Sequence, residues 1–341
     1  MRYFDTFTGY GGFTLGINNA YGTHNNRQIN DRVRGETENI PEDLSDNNSK
    51  NIQGAIPTCV GFSEIDKYAI QVYQKHFPNH KNYGDITKLD PGTIPDFDLL
   101  TGGFPCQAFS IAGKRMGFSD TRGTLFYDLA RIIKHKKPKL LLLENVKGLL
   151  SHDNQRTFET ILCTLSELGY GVEWQVLNSK NFGVPQNRER VFIVGHLGGF
   201  SGGKVFPVGE ADGTIDERYG KTSPQVEVAS TIRSRYGNGT GSHIQQLNQP
   251  THSNDRVYSD EELSPTLNTM GGGNRQPFIS NDTRIRRLTP TECERLQGLP
   301  DGWTKEGTEG AISDTQRYKL CGNGVTTNVV QAIMEKILAL Y

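Results

Sequence analysis

Short apolar runs alternate along the chain with polar turns and with segments whose apolar residues recur every three or four positions. The runs are RYFDTF (2–7), TCVGFSEID (58–66), DFDLL (96–100), KLLLLEN (139–145) and RVFIVG (190–195). Between them, DKYAIQVYQKHF (66–77), TLFYDLARIIKH (124–135) and NQRTFETILCTLSELG (154–169) carry helical spacing. Strands alternating with helices of this length predict an α/β fold on a mainly parallel sheet. Leu140 to Leu143 is apolar at every position, as in a strand covered on both faces. A last run, TTNVVQAIMEKILALY (326–341), sets Val329, Val330, Ile333 and Ile337 at helical spacing and predicts a core-packing helix.

Two regions break this rhythm. Residues 22–56 are rich in Asn, Asp, Arg and Gly and nearly free of large apolar side chains, which predicts a solvated, disordered insertion. From about 196 to 285 the pattern is Gly-rich, polar and helix-poor, which predicts a second domain.

The totals then narrow the class. A chain of 341 residues can hold one large domain or two of unequal size. Its formal net charge is -1, so a nucleic-acid partner would require Lys and Arg clustered on one face. Cys59, Cys106, Cys163, Cys293 and Cys321 are scattered, odd in number and without CxxC spacing, which disfavours a disulfide framework and a metal site. The N-terminus lacks the apolar run of a signal peptide and no stretch reaches membrane-spanning length, so a cytoplasmic location is expected, with no membrane partner.

Candidate chemistry clusters at two places. YFDTFTGYGGFTLG is a strand running into Gly9-Tyr10-Gly11-Gly12 and then a helix, a turn that lets a ligand approach the backbone. Thr14 stands where a dinucleotide fingerprint needs its third glycine, which disfavours a nicotinamide oxidoreductase. Glu64, ending the next strand, has the chemistry to clasp ribose hydroxyls, and Asp85 in YGDIT can accept from an adenine amino group. Each acid taken singly reads equally well as a cap or turn residue. Together with the glycine turn they suggest an adenosine ligand without phosphates, for which S-adenosyl-L-methionine qualifies.

The second place is LLTGGFPCQAFSIAGKRMG (99–117). A lone cysteine is ordinarily a small core hydrophobe, but Gly102, Gly103 and Pro105 set Cys106 on a loop, where functional residues concentrate. Glu144 closes an all-leucine strand, which is costly unless it is functional, caps a helix or joins a buried ion pair. In VPQNRERVFIVG, Gln186, Arg188 and Arg190 alternate, so the arginines can converge on one spot; the alternative is the solvated face of an edge strand.

The chain resembles the bacterial-type DNA (cytosine-5)-methyltransferases. The resemblance is carried in order by FDTFTGYGGF, SEID, GDIT, GGFPCQAFSIAGKRMGFSDTRGTLF, LLLENVKGL, VPQNRERVFIVG, LTPTECERLQGLPDGW and LCGNGVTTNVV, which span nearly the whole chain. Thr8, where the family usually has Ala, and Gly324, where it usually has Ser, depart from the pattern without removing a reacting group. The resemblance implies an S-adenosylmethionine-dependent methyltransferase fold, a doubly wound, mostly parallel sheet. Residues 1–195 plus 318–341 would form the catalytic and cofactor-binding domain, and 196–317 a smaller β/loop-rich target-recognition domain.

It also implies roles. Cys106 adds as a thiolate to C6 of a flipped-out cytosine, making C5 nucleophilic toward a methyl sulfonium. Glu144, protonated, contacts N3 and the 4-amino group, Arg190 donates to O2, and Arg188 orients the site. The arginines would supply the electropositive setting that a thiolate needs. The cofactor would touch Phe7, Gly9, Gly11, Gly12, Glu64, Ile65, Asp85, Ile86, Pro105, Leu125, Asn323 and Val325. The 107–123 loop, with glycine hinges and Gln107, Ser110, Lys114, Arg115 and Arg122 as DNA contacts, would close over the duplex. Arg233, Arg235, Asn268 and Arg275 have donors suited to purine edges or phosphates.

The expected partner is double-stranded DNA, with the enzyme a monomer in a bacterial or phage-infected cell, associated with the nucleoid. It would serve in a restriction-modification system beside an endonuclease acting on the same site, or as an orphan or phage methylase. An RNA cytosine-5 methyltransferase of the same fold and a catalytically silent DNA-binding module are the competing readings. The long 196–285 region speaks against the first, and the presence of Cys106, Glu144 and the arginines against the second.

Overall fold

The computed structural model describes residues 1–36, 57–106, 125–199, 203–209, 244–247, 256–259, 261–267, 277–281 and 284–341. In chain order the main body comprises β1 (Arg2–Thr6), α1 (Gly12–Glu36), β2 (Thr58–Ser63), α2 (Lys67–His76), β3 (Leu99–Gly103), α3 (Leu125–Lys136), β4 (Leu140–Val146), α4 (Arg156–Glu167), β5 (Tyr170–Asn178), β6 (Gln186–Asn187) and β7 (Glu189–Leu197). Six of these strands form one sheet in the order β2-β1-β3-β4-β7-β5. Pairing is parallel from β2 through β4, whereas β7 runs antiparallel to both β4 and β5.

Strand β4 shows why the sheet is covered on both sides. Leu141 and Leu143 join Leu129, Ile132 and Ile133 of α3 and Phe158, Ile161 and Leu165 of α4 in one apolar cluster. Leu140 and Leu142 face the other way, with Phe13 and Ile17 of α1 and with the C-terminal helix. Successive strand side chains point to opposite faces, so an all-leucine strand needs a layer on each.

The structure corrects the insertion expected at 22–56. Helix α1 continues through residue 36, so only 37–56 remain outside the described residues. Its first turns bury Phe13, Ile17, Ala20 and Tyr21, and extending a formed helix adds one hydrogen bond per residue fixed. Strand β5 is also unforeseen. Its polar residues receive a neighbouring segment: Glu173 accepts from the backbone N–H of Val205 (2.8 Å) and Phe206 (3.0 Å), and Gln175 from that of Val208 (3.0 Å).

Beyond the sheet, β8 (Val257–Ser259), β9 (Ser264–Pro265), β10 (Phe278–Asn281) and β11 (Arg284–Arg287) are the only regular elements among the described residues of 198–287. Then follow α5 (Pro290–Leu296), β12 (Glu306–Gly307), β13 (Gly310–Ala311), α6 (Asp314–Asn323) and α7 (Thr327–Leu340). Helix α7 lays Val329, Val330, Ile333, Met334 and Ile337 into the sheet, as its spacing predicts. The 289–312 segment packs on the sheet domain: Leu299 and Ile312 share a cluster with Tyr10, Ala69 and Val72.

A buried carboxylate fastens that segment. Glu294, fully buried, accepts from the N–H of Gly302 and of Thr304 (2.8 Å each) and from Arg317 Nη2 (3.0 Å). Removing one partner of such a pair strands the other charge in a low-dielectric interior. Arg317→Met is therefore expected to lower unfolding stability by about 3 kcal/mol, measured by urea titration. A loss below about 1 kcal/mol, the range of exposed pairs, would show that the pair is not an anchor.

Candidate active site

In an open α/β sheet, ligands bind beyond the carboxyl ends of the strands. Phe7 follows β1, Glu64 follows β2, Gly103 ends β3 with Phe104 to Cys106 following it, and Glu144 lies near the end of β4. Because β7 is reversed, its first residues lie at this same edge, with Arg190 opposite Val146. A cavity of about 370 Å³ opens there, lined among others by Phe7, Gly9, Glu64, Pro105, Cys106, Glu144, Arg188, Arg190 and Asn323.

Glu64 shapes the cofactor side. Its Oε1 accepts from the backbone N–H of Ile65 (2.8 Å) and Asp66 (2.9 Å), and its Oε2 from that of Gly9 (2.9 Å). The carboxylate thus ties the glycine turn to β2, and Oε2 retains a lone pair for another donor. Gly9 and Gly11 take positive φ (56° and 92°), the left-handed region in which side chains are strained. Beside Glu64, Ile65 is 72% exposed, an apolar surface in the open next to a polar clasp.

On the reacting side, Arg190 Nε meets Glu144 Oε1 at 3.0 Å with both side chains largely buried. Burial pushes the Glu144 carboxyl up from its ordinary value, and Arg190 and then Arg188 oppose the shift without cancelling it. Arg188 does not share the pair. It is 2% exposed and donates to three backbone carbonyls, Leu267 (3.1 Å), Gly322 (3.0 Å) and Gly324 (2.8 Å). Burial, then Arg190, lowers its guanidinium to about 9, so it keeps its proton at neutral pH. Its Nε has no hydrogen-bond partner among the described residues.

Cys106 lies half-buried at the cavity, and burial raises its thiol above the ordinary value. Among the described residues burial is the influence on the thiol, while Glu144 pairs with Arg190 and three backbone carbonyls take up Arg188. The strand end that carries it is pinned by Asn145, whose Nδ2 donates to the Phe104 carbonyl (2.8 Å).

Several expected cofactor residues do not line the cavity. Gly11, Gly12, Ile65 and Val325 are not among its lining residues, Ile86 is buried in the core, and Leu125 packs against that core. Asp85 is not on a strand. It occupies a turn, where its Oδ1 accepts from Thr87 N (3.0 Å) and Oγ1 (2.8 Å), the local role that a short carboxylate takes readily. Gln107, Ser110, Lys114, Arg115, Arg122, Arg233, Arg235, Asn268 and Arg275 lie outside the described residues.

Conversely, Asp66 and Lys319 line the cavity and bond to each other at 2.6 Å, although no motif spacing links residues so far apart in sequence. Asp5 was also missed. Fully buried beneath the glycine turn, it accepts from Thr101 Oγ1 (2.8 Å) and Thr14 Oγ1 (3.2 Å), and burial raises it to about 7. An acid at the penultimate position of an apolar strand was the available signal.

The family model for C-5 cytosine-specific DNA methylase matches residues 1–339. The chain is similar to the Type II methyltransferase M1.ScrFI of Lactococcus lactis subsp. cremoris, with 41% identity over 81% of this chain and 71% of that one. It is likewise similar to the Type II methyltransferase M.HhaI of Haemophilus parahaemolyticus, at 37% identity over 82% and 87%. Among solved structures, the S. pombe Dnmt2 methyltransferase superposes with TM-score 0.63 at 17% identity, covering 99% of this chain and 98% of that one. The Entamoeba histolytica methyltransferase EhMeth gives 0.60 at 15% identity over 99% and 98%; at these identities the likeness concerns the fold.

Proposed function

The chain belongs to the C-5 cytosine-specific DNA methylase family, and we propose that it methylates C5 of a flipped-out cytosine in a short duplex sequence through a covalent bond from Cys106 to C6. The observation that carries this reading is the convergence of a loop cysteine, a raised carboxyl paired with an arginine, and the Glu64 clasp in one cavity. The cavity suits a phosphate-free adenosine ligand: a carboxylate with a spare lone pair for ribose, with the exposed Ile65 next to that carboxylate in sequence. We take S-adenosyl-L-methionine as that ligand; it supplies a methyl group made electrophilic by a sulfonium.

Glu64 would accept from ribose while keeping Gly9 in place. The Cys106 thiolate would add to C6, pushing electrons toward N3 and making C5 nucleophilic. The protonated Glu144 carboxyl would donate to N3 and accept from the 4-amino group, so that the negative charge meets a donor where it develops. Arg190 would exchange part of its ion pair for the base O2. Arg188, held by the three carbonyls, would keep the α6–α7 turn against the site. Once C5 is methylated, loss of its proton would expel the Cys106 thiolate from C6 and restore the ring; the described residues name no base for that proton, and we assign it to water.

Target recognition is placed in the helix-poor 196–285 region and DNA closure in the 107–123 loop, with a restriction-modification role proposed from the Type II names of the relatives. No helix among the described residues is long and apolar enough to cross a membrane. The test is bisulfite sequencing of DNA from cells expressing the protein, paired with methyl incorporation into duplex DNA and into tRNA. Cytosines protected at a recurring short sequence are expected; incorporation into tRNA alone would overturn the DNA assignment.

Glu64→Gln separates the cofactor role from the DNA role. A charge-assisted hydrogen bond contributes roughly 1.5–3 kcal/mol, so S-adenosylmethionine should bind about 10- to 100-fold more weakly. Duplex affinity should stay within about twofold, because it rests on phosphate contacts elsewhere. Calorimetry showing an unchanged cofactor affinity would count against the ribose role.

A further inference from the structure

Gly324 is a glycine with no backbone reason to be one. Its φ of -77° and ψ of 163° are open to any residue. What excludes a side chain is Tyr10. A Cβ at position 324 would stand 1.9 Å from Tyr10 Cε1 and 2.3 Å from Cζ. The conflict is with a ring that cannot withdraw, because Tyr10 is fully buried and held at both ends. Its hydroxyl donates to the Val325 carbonyl (2.7 Å), and its own carbonyl accepts from the indole of Trp303 (3.0 Å).

The same few residues form a lock between two loops. Gly12, closing the glycine turn, approaches so closely that a Cβ there would lie 2.8 Å from the Val325 carbonyl oxygen. From the other side Arg188 holds the carbonyls of Gly322 and Gly324. Gly322 and Asn323 line the cavity, yet neither Tyr10 nor Gly324 touches it.

We propose that Tyr10 is a positioning residue of the methyl-donor pocket: its ring takes the place of a side chain at position 324, and its hydroxyl sets the Gly322–Val325 turn against the Gly9–Gly12 turn. Tyr10 and Gly324 are then one unit, each tolerated because of the other. This role rests on the methyl-donor reading given above.

The full-length protein and three variants, Tyr10→Phe, Gly324→Ala and the double Tyr10→Leu/Gly324→Ala, would be titrated with S-adenosylmethionine by calorimetry, with methyl transfer followed in parallel. Tyr10→Phe keeps the ring and loses one hydrogen bond, so Kd and KM for the donor should rise about three- to tenfold with kcat at saturation nearly unchanged. Gly324→Ala should weaken binding by at least about tenfold, and the double variant should bind several-fold more tightly than Gly324→Ala, because residues in contact couple. Unchanged donor affinity in Tyr10→Phe, even with a lowered melting temperature, would overturn the role. So would a double variant no tighter than Gly324→Ala. Should Gly324→Ala not fold, Tyr10→Phe alone still decides. A wild type that binds no methyl donor would overturn the functional reading itself, whereas wild-type binding with indifferent variants overturns only the part assigned to Tyr10.

Discussion

Cys106→Ala is expected to lose methyl transfer by roughly ten-thousandfold or more, because without a nucleophile at C6 the electron-poor ring offers no reactive carbon at C5. Duplex binding should persist within a few-fold, since it draws on phosphate contacts and counterion release. A duplex carrying 5-fluorocytosine in the target should trap the wild type in an adduct that survives denaturation, because fluorine cannot leave C5 as a proton. The variant should form none. An adduct persisting in Cys106→Ala would reassign the nucleophile. The raised thiol adds a sign that can be checked in the free protein. Below its pKa the thiolate fraction grows tenfold per pH unit, so alkylation of Cys106 should be slow at pH 7 and about a hundredfold faster at pH 9. Mass analysis of the 106-containing peptide reads this directly.

Glu144→Gln should show the second largest effect, and of a different kind. The amide still offers a donor to N3 and an acceptor to the 4-amino group, so cytosine binding is retained. It cannot pass a proton toward N3 as charge develops, and kcat should fall by about 100- to 1,000-fold, or roughly 3–4 kcal/mol. The pH profile distinguishes this from a structural lesion. In the wild type the active form needs a protonated Glu144 and an ionised Cys106, although the thiol has the higher pKa. Between the two values the acid fraction falls tenfold per unit while the thiolate fraction rises tenfold, so kcat/KM should be flat. Below the raised carboxyl value it should fall with the thiolate, and above the raised thiol value it should fall with the acid. Glu144→Gln removes only the acid fraction, so its kcat/KM should climb about tenfold per unit from pH 7 to 9. A flat profile in that variant would mean that Glu144 does not act through its proton.

The sequence determined the layers and the participants. The four-leucine run of β4, amphipathic α3, α4 and α7, and a strand running into Gly9–Gly12 follow from apolar runs and helical periods, which are local and survive without knowledge of neighbours. Cys106, Glu144, Arg188, Arg190 and Glu64 could be picked out because a reactive or charged side chain at a strand end or glycine-rich turn breaks the pattern around it. Strand β5 and the continuation of α1 were illegible for the converse reason. Glu173 and Gln175 serve another segment's backbone, and the later part of α1 is polar in sequence, so no apolar period marks it.

Only the tertiary structure decided how those participants are shared out. The direction of β7 is not written in its apolar pattern, which reads the same both ways. Its reversal is what brings Arg190 to the edge where Glu144 lies, instead of to the far end of the sheet. Arg188, between β6 and β7, and Arg190, two residues on, were expected to act together, yet Arg190 pairs with a carboxylate and Arg188 with three carbonyls from 267, 322 and 324. Spacing fixes which face a side chain leaves from. What it meets depends on chain segments from tens to more than a hundred residues away, and on whether burial has already committed its charge.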